Sequence, residues 1–444
     1  MKYSKTHPLI AGTLVLTGTG LLSRLIGFFY RIYLARLFGE EGMGLYQLIG
    51  PVLSVSFALT AAGFQTTISR LIAGRTCDGK LHPLFLGLFL SLPFSFLFSA
   101  VVFLQADTIS ICFLSQEKCA RMLRILAFSI PLSSLHSCVN GYFYGRKETA
   151  VPAFSQLLEQ FTRVGCVWLL TSGIVGRGGV PDISLAVFGL ALGELASSVF
   201  SVIALILSRR KTDRSFNLQP VFSKKLTRDF LSMLLPLSAN RLSLTVLSSI
   251  EAVSIPIKLR EYGLDDSTVL SIYGVLTGMA LPLLFFPNAL TGSLSVMLLP
   301  AISESQAKRD YDRVRQNTCR TICFCGGLGI LCMLLFTLFG KWLGSFLFKS
   351  DLAGYYLSML GFLCPFLYTN TTLSGILQGL GKAGSLFAVN LAALFLRLSF
   401  VLLGIPVFGI RGYFYGLLFS HLLQTIALSS ICFRTIKKES RLTS

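Results

Sequence analysis

The sequence predicts an all-α, polytopic membrane protein of about twelve transmembrane helices in two six-helix lobes. Three observations lead there. Of 444 residues, 53% are hydrophobic and only 13% are charged, about half of the ~25% that a water-facing surface carries. Apolar stretches long enough to cross a bilayer recur throughout the chain, and the mean hydropathy is +0.70. A segment of the first half returns in the second. This composition excludes a soluble enzyme, a secreted disulfide scaffold and a disordered chain.

The apolar stretches fall at about 8–37, 43–73, 83–106, 124–145, 151–173 and 183–208, then at 229–257, 267–303, 318–340, 353–379, 384–406 and 410–433. A bilayer core about 30 Å thick needs about 20 helical residues. The longer stretches therefore tilt, bend or project beyond the hydrocarbon. Pro51, Gly63, Pro131, Pro236, Pro282 and Pro287 mark expected kinks. Lys2 and Lys5 precede the first stretch, but Arg24, Arg31 and Arg36 follow within one continuous helical pattern. A cleavable leader would end in small residues instead, so the first segment is expected to remain.

The net charge of +19 would suggest nucleic acid in a soluble chain. In a membrane chain the position of the charges decides, because Lys and Arg collect in cytoplasmic loops. With the amino terminus inside, inner segments hold 24 Lys and Arg and outer loops 10. Both termini are thus expected in the cytoplasm of a multi-pass cell-membrane protein that binds no nucleic acid. Residues 209–228 carry Arg209, Arg210, Lys211, Arg214, Lys224, Lys225 and Arg228. They read as a basic cytoplasmic linker on anionic lipid, between an amino-terminal lobe (1–208) and a carboxy-terminal lobe (229–444). A docking site for a cytoplasmic partner is the alternative reading of that linker.

A shift of 234 residues aligns 126–163 with 360–397 without gaps. Leu126, Phe128, Pro131, Gly141, Gly145, Leu157, Phe161 and Arg163 meet Leu360, Phe362, Pro365, Gly375, Gly379, Leu391, Phe395 and Arg397. A shift of six spans keeps the same orientation, so the repeat is parallel. That plan is typical of transporters.

Charged residues inside spans are costly, about 2.5–3.5 kcal/mol at the bilayer centre, and so face protein or water. Five arginines do this: Arg24, Arg31, Arg163, Arg241 and Arg397. Glu159, Glu194 and Glu251 are the acidic counterparts. Arg24 and Arg31 lie about two turns apart on one face of span one, near Gly20 and Gly27. Glu159 and Arg163 form an i, i+4 pair in the favourable order. Glu194 and Glu251 lie nearer span ends, as structural groups or partners to arginine. The surplus of arginine suits an anionic substrate, with its planar fork matched to phosphate. The expected substrate-binding residues are accordingly Arg24, Arg31, Arg163, Arg241, Arg397 and Glu159.

No catalytic constellation is legible. The histidines His7, His82, His136 and His421 sit in four separate segments, which argues against a metal or acid–base site. Cys319, Cys323 and Cys325 read as apolar packing. There is no Walker-type loop and no Gly-x-Ser-x-Gly elbow. Neither an enzyme activity, a metal nor a cofactor is expected.

The stretch LLSRLIGFFYRIYLARLFGEEGMGLYQLIGP at 21–51 resembles the opening of the polysaccharide-biosynthesis branch of the multidrug/oligosaccharidyl-lipid/polysaccharide exporter superfamily. SQLLEQFTRV at 155–164 and LPLSANRLSLTVLSSIEAVSIP at 235–256 are similar to the same branch, in particular to its stage V sporulation protein B-like members. The resemblance implies two MATE-like six-helix bundles in a V around a central cavity. It also implies flipping of an undecaprenyl-pyrophosphate-linked sugar by alternating access, with Arg24 and Arg31 meeting the pyrophosphate as in related lipid II flippases. Those flippases usually carry fourteen spans, against twelve here. A drug or cation antiporter of the same superfamily would call for a carboxylate in span one, which is lacking. A non-transporting scaffold for cell-wall synthesis would leave the span arginines without a role.

Overall fold

A computed structural model describes residues 8–74, 81–210, 223–308 and 310–441. Long helices dominate: α1 (Pro8–Leu48), α2 (50–73), α3 (Leu81–Leu104), α4 (Cys119–Gly145), α5 (Ala150–Gly176) and α6 (Ser184–Arg210), followed by α7 (Lys224–Glu261), α8 (266–307), α9 (Tyr311–Phe348), α10 (351–379), α11 (383–408) and α12 (Ile410–Arg441). Ten stretches among the described residues are long and apolar enough to cross a membrane. Two departures from the expected twelve account for that number. Gly18–Ala73 is one continuous stretch of 56 residues, about 84 Å of helix at 1.5 Å per residue, and it holds both first spans. Helix α5, carrying Gln156, Glu159, Gln160 and Arg163, is too polar to be among the ten.

Several breaks fall where the sequence places Pro or Gly. Pro51 opens its helix, and π-helical turns at Ala58–Ala62 and Val275–Ala280 precede Gly63 and Pro282. The sharpest break was not expected: α1 bends at Gly39, where φ is 69° and ψ is −170°. Only glycine enters that region without strain.

By contacts the chain forms two compact units, one of residues up to Tyr30 with Leu48–Ser249 and one of Arg31–Gln47 with Ile250–Ser444. The boundaries fall inside α1 and α7, not at 209–228. Single long helices contribute one end to each unit, which a hydropathy reading cannot register. The linker shrinks as well. Arg209 and Arg210 end α6, Lys224, Lys225 and Arg228 begin α7, and 211–222, with Lys211 and Arg214, lie outside the described residues.

In the first unit α4 packs on α2, α3 and α6, and α5 packs on α6. Its core is built by Ile68, Ile72, Leu84, Val139, Phe143 and Phe230. In the second unit α10 packs on α8, α9 and α12, and α11 packs on α12. Ile302, Val314, Leu373, Ile376, Leu377 and Leu428 form its core. The packing order of one unit is that of the other displaced by six helices, as the parallel repeat predicts. The matched glycines show why they recur. A Cβ on Gly141 would lie 2.6 Å from the Gln65 carbonyl oxygen, and one on Gly375 would lie 1.9 Å from Ser295 Oγ. Each sits where its helix passes close to a neighbour in its own unit, with no room for a side chain.

Candidate functional site

In the first unit α5 presents Glu159 and Arg163 to the interior, and Arg163 Nη2 donates to Glu159 Oε1 at 2.5 Å. The expected i, i+4 pair is formed. Glu194 on α6, expected as a structural group or a partner to arginine, meets His136 on α4 instead, with Nδ1 and Oε2 3.0 Å apart. The ligand atoms of His136, Glu159 and Glu194 lie within 4.8 Å of one another. They line a cavity of about 350 Å³ together with Gln65, Asn140 and Gln156. The sequence reading that the histidines form no constellation is therefore corrected. His136 and Glu194 stand 58 residues apart and meet only because α4 packs on α6. The one signal available in the sequence was polarity at membrane depth, His136 and Asn140 being one helical turn apart.

In the second unit Arg397 on α11 donates to Glu251 on α7 at 3.0 Å, and Tyr413 on α12 donates to the other carboxylate oxygen at 3.3 Å. Glu251 is 4% exposed, so its charge is balanced by a fixed cation and a phenol rather than by water. Beside them runs an amide chain. Asn370 donates to Gln424 at 3.2 Å and Gln424 to Asn390 at 2.9 Å. Arg163 and Arg397, equivalent in the repeat, are thus both half-buried and ion-paired, each within its own unit.

The remaining arginines differ. Arg24 is exposed and Arg31 is half-buried. Added Cβ atoms at Gly20 and Gly27 would meet nothing within 4 Å, so the helix around Arg24 is open. Arg241 on α7 is also exposed, with its guanidinium 5.7 Å from the centre of the Phe57 ring, a cation–π contact. Phe57 lines the same cavity as Glu159. Of the cysteines read as packing residues, only Cys325 is fully buried. Cys319 is half-buried, Cys323 exposed and Cys325 buried, with Thr372 donating to the Cys325 sulfur at 3.0 Å.

An all-helical membrane architecture with this packing order defines a class, that of the MATE and lipid II flippase fold. The solved lipid II flippase MurJ in an inward closed conformation superposes with a TM-score of 0.73 at 15% identity, covering 96% of this chain and 90% of that one. An inward-facing multidrug resistance MATE transporter superposes with a TM-score of 0.72 at 16% identity, covering 95% and 96%. The sequence profile of the polysaccharide biosynthesis protein family matches residues 9–306, and the MatE profile matches 262–427. The chain belongs to the polysaccharide biosynthesis protein family, whose profile match spans more than half of it. It is 28% identical over 412 residues to stage V sporulation protein B of Bacillus subtilis (strain 168), 91% of this chain and 79% of that protein. With the lipid II flippase MurJ of the same organism it shares 22% over 343 residues, 71% of this chain and 62% of that one.

Proposed function

We propose that this protein is a flippase that carries an undecaprenyl-pyrophosphate-linked oligosaccharide or cell-wall precursor across the cell membrane by alternating access. The observation that carries the reading is the pair of exposed arginines, Arg24 and Arg241, inside helices long and apolar enough to cross a membrane. An arginine cannot be left against acyl chains without a cost of about 2.5–3.5 kcal/mol, so exposure there implies a water-filled path. A pyrophosphate head entering such a path loses hydration and needs fixed donors in its place. Guanidinium groups supply two parallel N–H donors each and hold phosphate oxygens in a defined orientation.

In this reading Arg24 and Arg31 take the pyrophosphate and Arg241 lies along its route. Arg163 and Arg397 are held by Glu159 and Glu251 and tune the field rather than grip the substrate directly. Both termini lie in the cytoplasm, and the basic ends of α6 and α7 rest on anionic lipid. The profile match and the named relatives support a lipid-linked glycan over a drug. So does α1 itself, which has no carboxylate before its break at Gly39.

The test is reconstitution of the full chain in vesicles containing a fluorescent lipid-pyrophosphate oligosaccharide. Transfer to the outer leaflet, read by an impermeant quencher, should be faster than in protein-free vesicles. Transfer at the protein-free rate by correctly inserted protein would overturn the proposal.

A further inference from the structure

The wall of the first unit's cavity is rich in neutral polar side chains, several of which have nothing to bond. Asn140 on α4 is 8% exposed, and its Oδ1 has no hydrogen-bond partner among the described residues. On the same wall the side chains of Gln65, Tyr144 and Gln156 likewise make no hydrogen bond among the described residues. Phe57 adds an aromatic face. We propose that this cavity holds one sugar unit of the carried molecule. The inference rests on the reading that the cargo is a lipid-linked glycan, and it adds where the sugar next to the pyrophosphate sits.

The chemistry of the wall selects the ligand. Its two carboxylates are already answered, Glu159 by Arg163 at 2.5 Å and Glu194 by His136 at 3.0 Å. Among the described residues the wall carries no lysine or arginine, so a phosphate group would find carboxylates here and no cation. What remains for a ligand is a set of amides and a phenol. Each of these both donates and accepts, and the hydroxyls of a sugar ring require that mixture. The C–H face of such a ring is apolar and suits Phe57. At about 350 Å³ the cavity lies near the lower end of the about 300–1,000 Å³ common to small-molecule sites, which fits a single ring rather than an oligosaccharide. Arg241 stands outside the wall, with its guanidinium 5.7 Å from the centre of the Phe57 ring. A pyrophosphate is bonded directly to the anomeric carbon of its sugar, so a ring packed on Phe57 brings phosphate oxygens toward that guanidinium.

The internal repeat provides a comparison within the same chain. Asn370 and Asn390 occupy the places of His136 and Gln156. There the amides are closed on one another through α12: Asn370 donates to Gln424 at 3.2 Å, and Gln424 donates to Asn390 at 2.9 Å. Amides that join helices in this protein are thus paired. In the first unit the amides of Gln65, Asn140 and Gln156 stay open around one cavity. Leaving a buried group such as Asn140 unpaired costs free energy, and a ligand hydroxyl would recover it.

Two radiolabelled probes of equal charge test this on the full chain in nanodiscs. One is undecaprenyl pyrophosphate carrying a single hexose, and the other carries a methyl group in place of the hexose. Wild-type protein should bind the hexose probe more tightly by about tenfold or more, the effect of one or two hydrogen bonds. Asn140→Ala and Tyr144→Phe should each narrow that ratio to about threefold or less. Gln156→Ala, at an exposed position, should narrow it too and serves should Asn140→Ala not fold. Equal affinity of wild-type protein for the two probes, or a ratio that the folded variants all keep, would overturn the sugar site and leave the flippase reading in place. Wild-type protein that binds neither probe would overturn that reading and the sugar site with it.

Discussion

Arg397 on α11 bonds Glu251 on α7 at 3.0 Å, whereas its repeat equivalent Arg163 finds Glu159 within its own helix, one turn away. The difference is written into the sequence: Ala393 occupies the place of Glu159, so α11 cannot supply its own counter-charge. The carboxylate comes instead from a helix 146 residues distant. In the first unit the pair stiffens one helix. In the second it joins two.

That contrast sets the first prediction. Removing one member of a buried pair leaves an uncompensated charge, at a cost of about 3–5 kcal/mol. Arg397→Leu should sharply lower the melting midpoint in detergent, followed by fluorescence-detected size exclusion after heating. Arg397→Leu combined with Glu251→Leu should recover much of the loss. A double variant no more stable than the single one would show that the two charges do not compensate each other.

Arg24 tests the proposed pyrophosphate contact. Charge-assisted bonds contribute about 1.5–3 kcal/mol, and 1.4 kcal/mol is about one decade in rate or affinity. Arg24→Ala should lower flipping roughly ten- to a hundredfold while monodisperse protein is made at the normal level. Arg24→Lys should keep part of the activity, since the charge survives and the planar fork does not. Arg397→Gln should cost less transport than Arg24→Ala. Wild-type flipping rates in folded Arg24→Ala vesicles would remove Arg24 from the site.

Orientation can be read by labelling single cysteines with an impermeant reagent in intact cells. Positions beside Arg210 and Lys308 should be protected until the membrane is opened, and positions beside Asp265 should react at once. The reverse pattern at two of these sites would discard cytoplasmic termini.

Asp265 provides a pH-dependent contact outside the spans. Its carboxylate accepts from the Thr268 backbone N–H at 3.1 Å and from Ser267 Oγ at 2.7 Å, capping α8. Bonds from Thr268, the larger effect, and from Ser267 hold its carboxyl down at about 2. A lowered folded-state value means that this stabilisation is fully present above the ordinary carboxylate range and is lost as pH falls through about 2. Asp265→Ala should therefore lower the melting midpoint at neutral pH, and Asp265→Asn, which keeps a capping carbonyl, should restore most of it. Identical midpoints for all three proteins would mean that the cap contributes nothing measurable.

The sequence by itself determined the class, the helical stretches, the parallel repeat and the Glu159–Arg163 pair. Each of these is a matter of local composition or fixed spacing: hydropathy over about 20 residues, a 234-residue shift, or one helical turn. Only the tertiary structure decided the bend at Gly39, the boundaries of the units inside α1 and α7, the Arg397–Glu251 bond and the meeting of His136 with Glu194. Gly39 looked like any glycine in an apolar helix, because positive φ depends on what the chain must do next. The two charged contacts depend on helix packing, which brings together side chains more than fifty residues apart. Hydropathy marks a polar group at membrane depth as requiring a partner. Which partner it finds is set by the rotation and depth of neighbouring helices, and those follow from close approach at small residues such as Gly141 and Gly375.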